Sequence, residues 1–166
     1  MRVFAAIPLS YEVREGLAAY EEALRRMGVS GRFAPPENLH LTLAFPGEVK
    51  DPAPVIRALS RIKVPSFSIA LSSPGSFGDL IYAGMADRNR EGALSRLAGS
   101  VRTALAEEHV AFDEKPFVPH VTLVRRARFP KGLPALPDIS MRVTRICLFR
   151  SEEKNGRRIY TEVYRR

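Results

Sequence analysis

Asn38-Leu39-His40-Leu41-Thr42-Leu43-Ala44-Phe45 alternates apolar and polar residues with a period of two, the pattern of a strand with one buried face. Leu39, Leu41, Leu43 and Phe45 fall on one side, and His40, Thr42 and Ala44 on the other. The theme returns eighty residues later, where Pro116-Phe117-Val118-Pro119 leads into His120-Val121-Thr122-Leu123-Val124-Arg125. Each half of the chain therefore carries a strand that presents His and Thr, two residues apart, on one face. The chain has only three histidines and five threonines, so the repetition carries more information than either copy.

Around these two strands the pattern predicts a mixed fold. Residues 2–7 read as a buried first strand. Val13, Leu17, Tyr20 and Leu24 recur at helical spacing after Ser10, a suitable N-cap, and before Gly28, a suitable stop. A second helix is expected over Asp51–Lys63, with Val55, Leu59 and Ile62 inward, and strands over Ser66–Ser72 and Leu80–Ala86. A third helix is expected over Asn89–Glu108 on the stripe Leu94, Leu97, Val101 and Leu105. The tail predicts a strand over Met141–Ser151 and another over Arg157–Tyr164, joined through Asn155-Gly156, a strong hairpin signal. The expectation is an α+β fold in one two-lobed domain over residues 1–166. Antiparallel sheets with flanking helices would form an internal pseudo-two-fold repeat around a central cleft.

Charge narrows the partner. With 26 Lys and Arg against 18 Asp and Glu, the chain carries a net charge of +8, which favours a polyanion such as nucleic acid. The basic residues occur as scattered pairs such as Arg25-Arg26, Arg125-Arg126 and Arg157-Arg158, which suits a groove better than a basic tail. Cys147 is the only cysteine, so an internal disulfide and a Cys-rich metal site are excluded, and its apolar surroundings predict a small buried residue. No apolar run reaches membrane-spanning length, and the opening run is too short for a signal peptide; a cytoplasmic, soluble monomer is expected.

Imidazole changes charge near neutral pH, so one neutral His can take a proton from water while a protonated partner gives one to a leaving oxygen. Opening a cyclic phosphodiester in line needs base and acid on opposite sides of phosphorus, an arrangement that two facing strands supply. A Thr hydroxyl two residues on points into the same space and can donate to a phosphate oxygen as charge builds there.

Arg2-Val3-Phe4-Ala5-Ala6-Ile7, the stretch from Pro36 through His40-Leu41-Thr42 to Gly47-Glu48-Val49, and Pro116-Phe117-Val118-Pro119-His120-Val121-Thr122-Leu123 together resemble the two-histidine phosphoesterase superfamily. Within it the chain specifically resembles the bacterial and archaeal RNA 2',3'-cyclic phosphodiesterases, also called 2'-5' RNA ligases. The resemblance implies hydrolysis of RNA 2',3'-cyclic phosphate ends to a 2'-phosphate without metal or other cofactor. In some members it also implies reversible 2'-5' joining. Carried over by position, His40 resembles the general acid toward the leaving 3' oxygen and His120 the base that activates water. Thr42 and Thr122 match phosphate-binding hydroxyls, and Arg125 matches an arginine placed five residues after the second histidine. Strict alternation from His120 points Arg125 to the wrong face and Arg126 to the right one. The strand must therefore end or bulge for Arg125 to reach phosphate, and Arg126 is held in reserve.

Other residues are weaker candidates. Tyr82 matches a position where relatives carry Trp and is suited to stacking on a base, although a half-buried strand Tyr is an equal reading. Phe33 departs from the family's pattern. His109 lacks a Thr partner and reads as a residue at a helix end. Three competing functions remain. A metal hydrolase is disfavoured because His40 and His120 have no acidic or Cys residue at ligand spacing. A non-catalytic RNA-binding module and a phosphodiesterase acting on 2'-5' oligonucleotides or a cyclic-phosphate nucleotide stay open.

Overall fold

The side chain of Ser10 accepts the N–H of Val13 at 3.2 Å and opens helix α1 (Tyr11–Arg26), satisfying one of the donors that a helix start leaves free. Val13, Leu17, Tyr20 and Leu24 are all buried along it, as their spacing predicts. Gly28 takes a left-handed φ of +94° and lets the N–H of Val29 return to the Leu24 carbonyl, which ends the helix. The protein is described by a computed structural model over residues 1–129 and 132–166.

Before α1 runs strand β1 (Arg2–Pro8), and after it come β2 (Ser30–Phe33), a 3-10 turn (Pro36–Asn38) and β3 (His40–Glu48). Helix α2 (Ala53–Ser60), β4 (Phe67–Phe77), β5 (Leu80–Asp87) and α3 (Ala93–Glu107) follow, then β6 (His120–Arg128), β7 (Ser140–Val143), β8 (Cys147–Lys154) and β9 (Arg157–Arg165). Helix α3 starts later than Asn89 because Gly92 is left-handed, with φ +77°. The Asp87 carboxylate takes the N–H groups of Gly92 and Leu94 at 2.7 and 2.9 Å. The single strand expected over Met141–Ser151 is in fact two. β7 pairs with β4 and β8 pairs with β1, so the chain changes sheets at residues 144–146. The β8–β9 hairpin turns at Asn155 and Gly156, both at positive φ.

The strands form two antiparallel sheets, ordered β3-β1-β8-β9 and β2-β6-β5-β4-β7. Four strands of each sheet correspond, with β3 matching β6 and β1 matching β5, while β2 is an addition that only the second sheet has. Buried residues from both sheets and all three helices make one apolar cluster. Helix α3 touches β3 of one sheet and β5 of the other, and β3 also meets β6 directly, which brings the two motif-bearing strands together.

Both motif strands share one irregularity. Ala6 pairs with Thr42 and Ala5 with Ala44, leaving Leu43 as an extra residue; likewise Tyr82 pairs with Thr122 and Ile81 with Val124, leaving Leu123. Each is a bulge three residues past the histidine. It puts two consecutive residues into the core, Leu43 with Ala44 and Leu123 with Val124. The alternation expected for Asn38–Phe45 therefore fails at its end. Ala44 is buried rather than on the His40 face, and Phe45 turns onto that face, where its ring stacks with Phe4.

Candidate active site

The two bulges decide where the fifth residue after each histidine points. On β6 the bulge returns Arg125 to the face of His120 and Thr122, which resolves the conflict in strict alternation in favour of Arg125. Arg126 stands at φ +51° in a second irregularity, where β6 runs one residue longer than β2 between the Ser30–Arg128 and Arg32–Arg125 pairs. Gly31 lies opposite this point at φ +146°. A Cβ there would sit 2.8 Å from the Val124 side chain, 2.9 Å from the Arg125 carbonyl oxygen and 3.0 Å from the Ala127 Cα. Only a residue without a side chain lets the strands close around the bulge.

The histidines are held in matching ways. Nδ1 of His40 lies 2.7 Å from the Asn38 carbonyl, and Nδ1 of His120 lies 2.6 Å from the Val118 carbonyl, in both cases two residues back along the chain. A carbonyl can only accept, so each Nδ1 is the protonated nitrogen and Nε2 is left to exchange a proton with a ligand. Aromatic rings wedge each imidazole. Phe4 lies 4.5 Å and Tyr160 5.2 Å from the His40 ring; Phe77 lies 5.3 Å and Tyr82 5.5 Å from that of His120, both edge-on. Asn38 ties the arrangement to β9 by donating its amide to the Arg158 carbonyl at 2.9 Å.

Burial pushes the His40 pKa below its ordinary value, and the positive charges of Arg125 and of protonated His120 push the same way, while the bond to the Asn38 carbonyl opposes them. β3 meets β6 directly although the two belong to different sheets, which sets the strand of His40 beside that of His120 and Arg125. Thr42 and Thr122 are half-buried on the histidine faces of their strands. All five residues singled out by sequence, His40, Thr42, His120, Thr122 and Arg125, thus lie on these two adjoining strands. Among the described residues, no three His, Cys, Asp or Glu side chains group where they could hold a metal ion. Beside His40 opens a cavity of about 220 Å³, walled in part by Phe4, Asn38, Arg145, Phe149 and Tyr160.

Residues 13–155 match the family model described as the 2'-5' RNA ligase superfamily. The chain belongs to that superfamily. It is 35% identical to an RNA 2',3'-cyclic phosphodiesterase of Escherichia coli K12 over 99% of this chain and 94% of that protein. With one of Thermus thermophilus it shares 35% identity over 97% and 87%. The crystal structure of E. coli LigT complexed with ATP superposes with a TM-score of 0.85 at 32% identity, covering 99% of this chain and 95% of that one. That solved relative has the same α+β fold over nearly the whole chain.

Sequence reasoning passed over several residues of this site. Phe4 lies in an apolar run in which no alternation separates cleft from core, and Phe77 lies beyond the expected end of its strand. Tyr160 reaches His40 only because β9 joins the first sheet through β8. Tyr82, a candidate for base stacking, packs against the Phe77 ring at 4.5 Å and edges His120. His109 is exposed just past α3 at φ +57°, as expected of a helix-end residue. Phe33 lies under the Arg25 guanidinium at 4.1 Å, on the α1 side of its strand. Cys147 is buried as expected, but its thiol also donates to Glu162 at 2.9 Å, and burial together with that carboxylate raises its pKa to about 11.

Proposed function

We propose that the protein hydrolyses 2',3'-cyclic phosphate ends of RNA to 2'-phosphates by general acid and base catalysis. The observation that carries this reading is the pair of histidines on different sheets, each with Nδ1 fixed by the carbonyl two residues back and Nε2 left for proton transfer. Nε2 of neutral His120 takes a proton from water as the water oxygen bonds to phosphorus. The P–O3' bond breaks on the opposite side, and protonated His40 gives its proton to O3'. Thr42 and Thr122 donate to the non-bridging oxygens, and Arg125 offsets the charge that accumulates on them.

The lowered pKa of His40 bears on its role as the acid. Burial and the nearby positive charges favour its neutral form. The negative charge of a bound phosphate opposes these effects and favours the protonated form that His40 needs as the acid. The cavity beside His40, with its mixture of rings and hydrogen-bonding groups, has the lining a nucleoside needs. The same reading makes the protein a cytoplasmic monomer that needs no metal or other cofactor; among the described residues no helix is long and apolar enough to cross a membrane.

The test is incubation with a short RNA ending in a 2',3'-cyclic phosphate, in EDTA, beside His40→Ala and His120→Ala. A 2'-phosphate product from the wild type, lost in both variants, is expected. Undiminished turnover by either variant would overturn the paired mechanism, and activity abolished by chelator would overturn its metal independence.

A further inference from the structure

β2 is the strand that the internal repeat does not account for. β3, the counterpart of β6, ends its sheet, whereas β6 has β2 beside it. On that added strand Arg32 pairs directly with Arg125, while the next pair, Phe33 with Val124, faces the interior. Directly opposed residues of an antiparallel pair share a face, with Cα atoms about 5 Å apart, so Arg32 lies on the cleft side next to Arg125. Both side chains are exposed, and among the described residues neither has a carboxylate within ion-pair distance.

Like charges opposed across strands destabilise a sheet. Here the juxtaposition is held in place by the bulge around Gly31. Arrangements that cost stability in the free protein are expected where a ligand relieves them, and the ligand that relieves two adjacent arginines is an anion with more than one charged group. Arg125 faces the histidine motif, so Arg32 lies one strand farther from it.

We propose that Arg32 binds the phosphodiester next to the terminal phosphate, so that this chain distinguishes an oligoribonucleotide end from a mononucleotide. The inference rests on the function proposed above for the histidine site and adds to it a second phosphate contact. Arg32 is a substrate-positioning residue, outside the proton transfers, and β2 extends the site along the RNA backbone.

The experiment compares two substrates, adenosine 2',3'-cyclic phosphate and an eight-nucleotide RNA ending in the same group, with wild type, Arg32→Ala, Arg32→Lys and, as a control for net charge, Arg96→Ala on α3. Arg32→Ala is expected to raise KM for the RNA about tenfold more than for the mononucleotide, with kcat little changed, and Arg32→Lys to recover part of the loss. Anisotropy binding of the same RNA ending in a 2'-phosphate reads the contact without turnover. There the slope of log affinity against log salt should fall by about 0.7, the single-strand value for one phosphate contact. Equal penalties on both substrates would mean that Arg32 and Arg125 share the terminal phosphate, and an equal loss from Arg96→Ala would mean a general positive field; either result overturns the proposal, as does no loss at all. If wild type turns over neither substrate, the catalytic reading fails, while the binding comparison still decides whether Arg32 holds RNA.

Discussion

β3 and β6 are built alike up to the fourth residue after the histidine and differ at the fifth. Both fix Nδ1 on the carbonyl two residues back, place Thr on the same face, and bulge at the third residue. The bulge then presents Phe45 on one strand and Arg125 on the other. Phe45 carries the Arg2 guanidinium over its ring at 4.7 Å, whereas Arg125, which has no ion-pair partner among the described residues, lies beside Arg32. The repeated part of the site suits what is symmetric in the proposed reaction, a proton taken on one side of phosphorus and given on the other. The unrepeated part suits what is not symmetric, the side on which the charge of the RNA backbone is held.

The strongest way to break this comparison is to remove the shared element. His40→Ala and His120→Ala are each expected to lower kcat by about 10²- to 10⁴-fold, and the double variant by far less than the product of the two losses. Steady-state kinetics on an RNA cyclic phosphate measures this, and a single variant that keeps most of the rate shows that the two strands are not functional equivalents.

Arg125→Ala tests the unshared element and should cost about 10²-fold, the scale of one lost donor to an oxyanion. It also makes a signed prediction about the opposite strand. Because the Arg125 charge helps to lower the His40 pKa, its removal should move the His40 titration upward, as followed by imidazole NMR shifts in the free protein. An unmoved titration would separate the two strands electrostatically.

Gly31→Ala sharpens the same contrast through backbone rather than charge. A methyl group would meet Val124 and the Arg125 carbonyl at under 3 Å, at a φ that Ala disfavours, so a loss of roughly 1–3 kcal/mol in thermal or denaturant unfolding is expected. Activity should drop toward that of Arg125→Ala, because the bulge that aims the arginine is what the methyl displaces. Gly99, which has open space around it, is the control expected to tolerate Ala without a steric penalty.

The smallest effect concerns α1, whose Arg25 rests on Phe33 of β2. Glu21 is buried on this helix with Oε2 unpartnered among the described residues, and burial raises its pKa from 4.5 to about 8, with Arg25 opposing the shift and Glu22 adding to it. A carboxyl whose folded pKa is raised contributes stability that is complete below the unfolded value and is lost as pH rises toward the folded one. Wild type should therefore lose stability between about pH 4.5 and 8 relative to Glu21→Gln, whose melting temperature should vary less over that range. Parallel pH profiles would show that Glu21 finds a partner.

Period-two alternation and the repeated His-x-Thr were sufficient to name His40, Thr42, His120 and Thr122 and to set them on strands, because a strand's side-chain direction is a local property. Helical spacing likewise marked the buried faces of α1 and α3. The limits of local reading show at particular residues. β2 has no apolar alternation to announce it and exists because β6 offers an edge, while Met141–Ser151 looks continuous although its halves are drawn to different sheets. Phe45 and Arg125 depend on bulges, which arise from pairing with β1 and β5 and leave no local pattern. What the sequence by itself determined is two imidazoles and two hydroxyls at fixed spacing on two strands. What only the tertiary structure decided is their company: which carbonyl orients each imidazole, which rings enclose it, and which arginines share its face. Those contacts join residues far apart in the chain, and their register is set by the packing of whole strands.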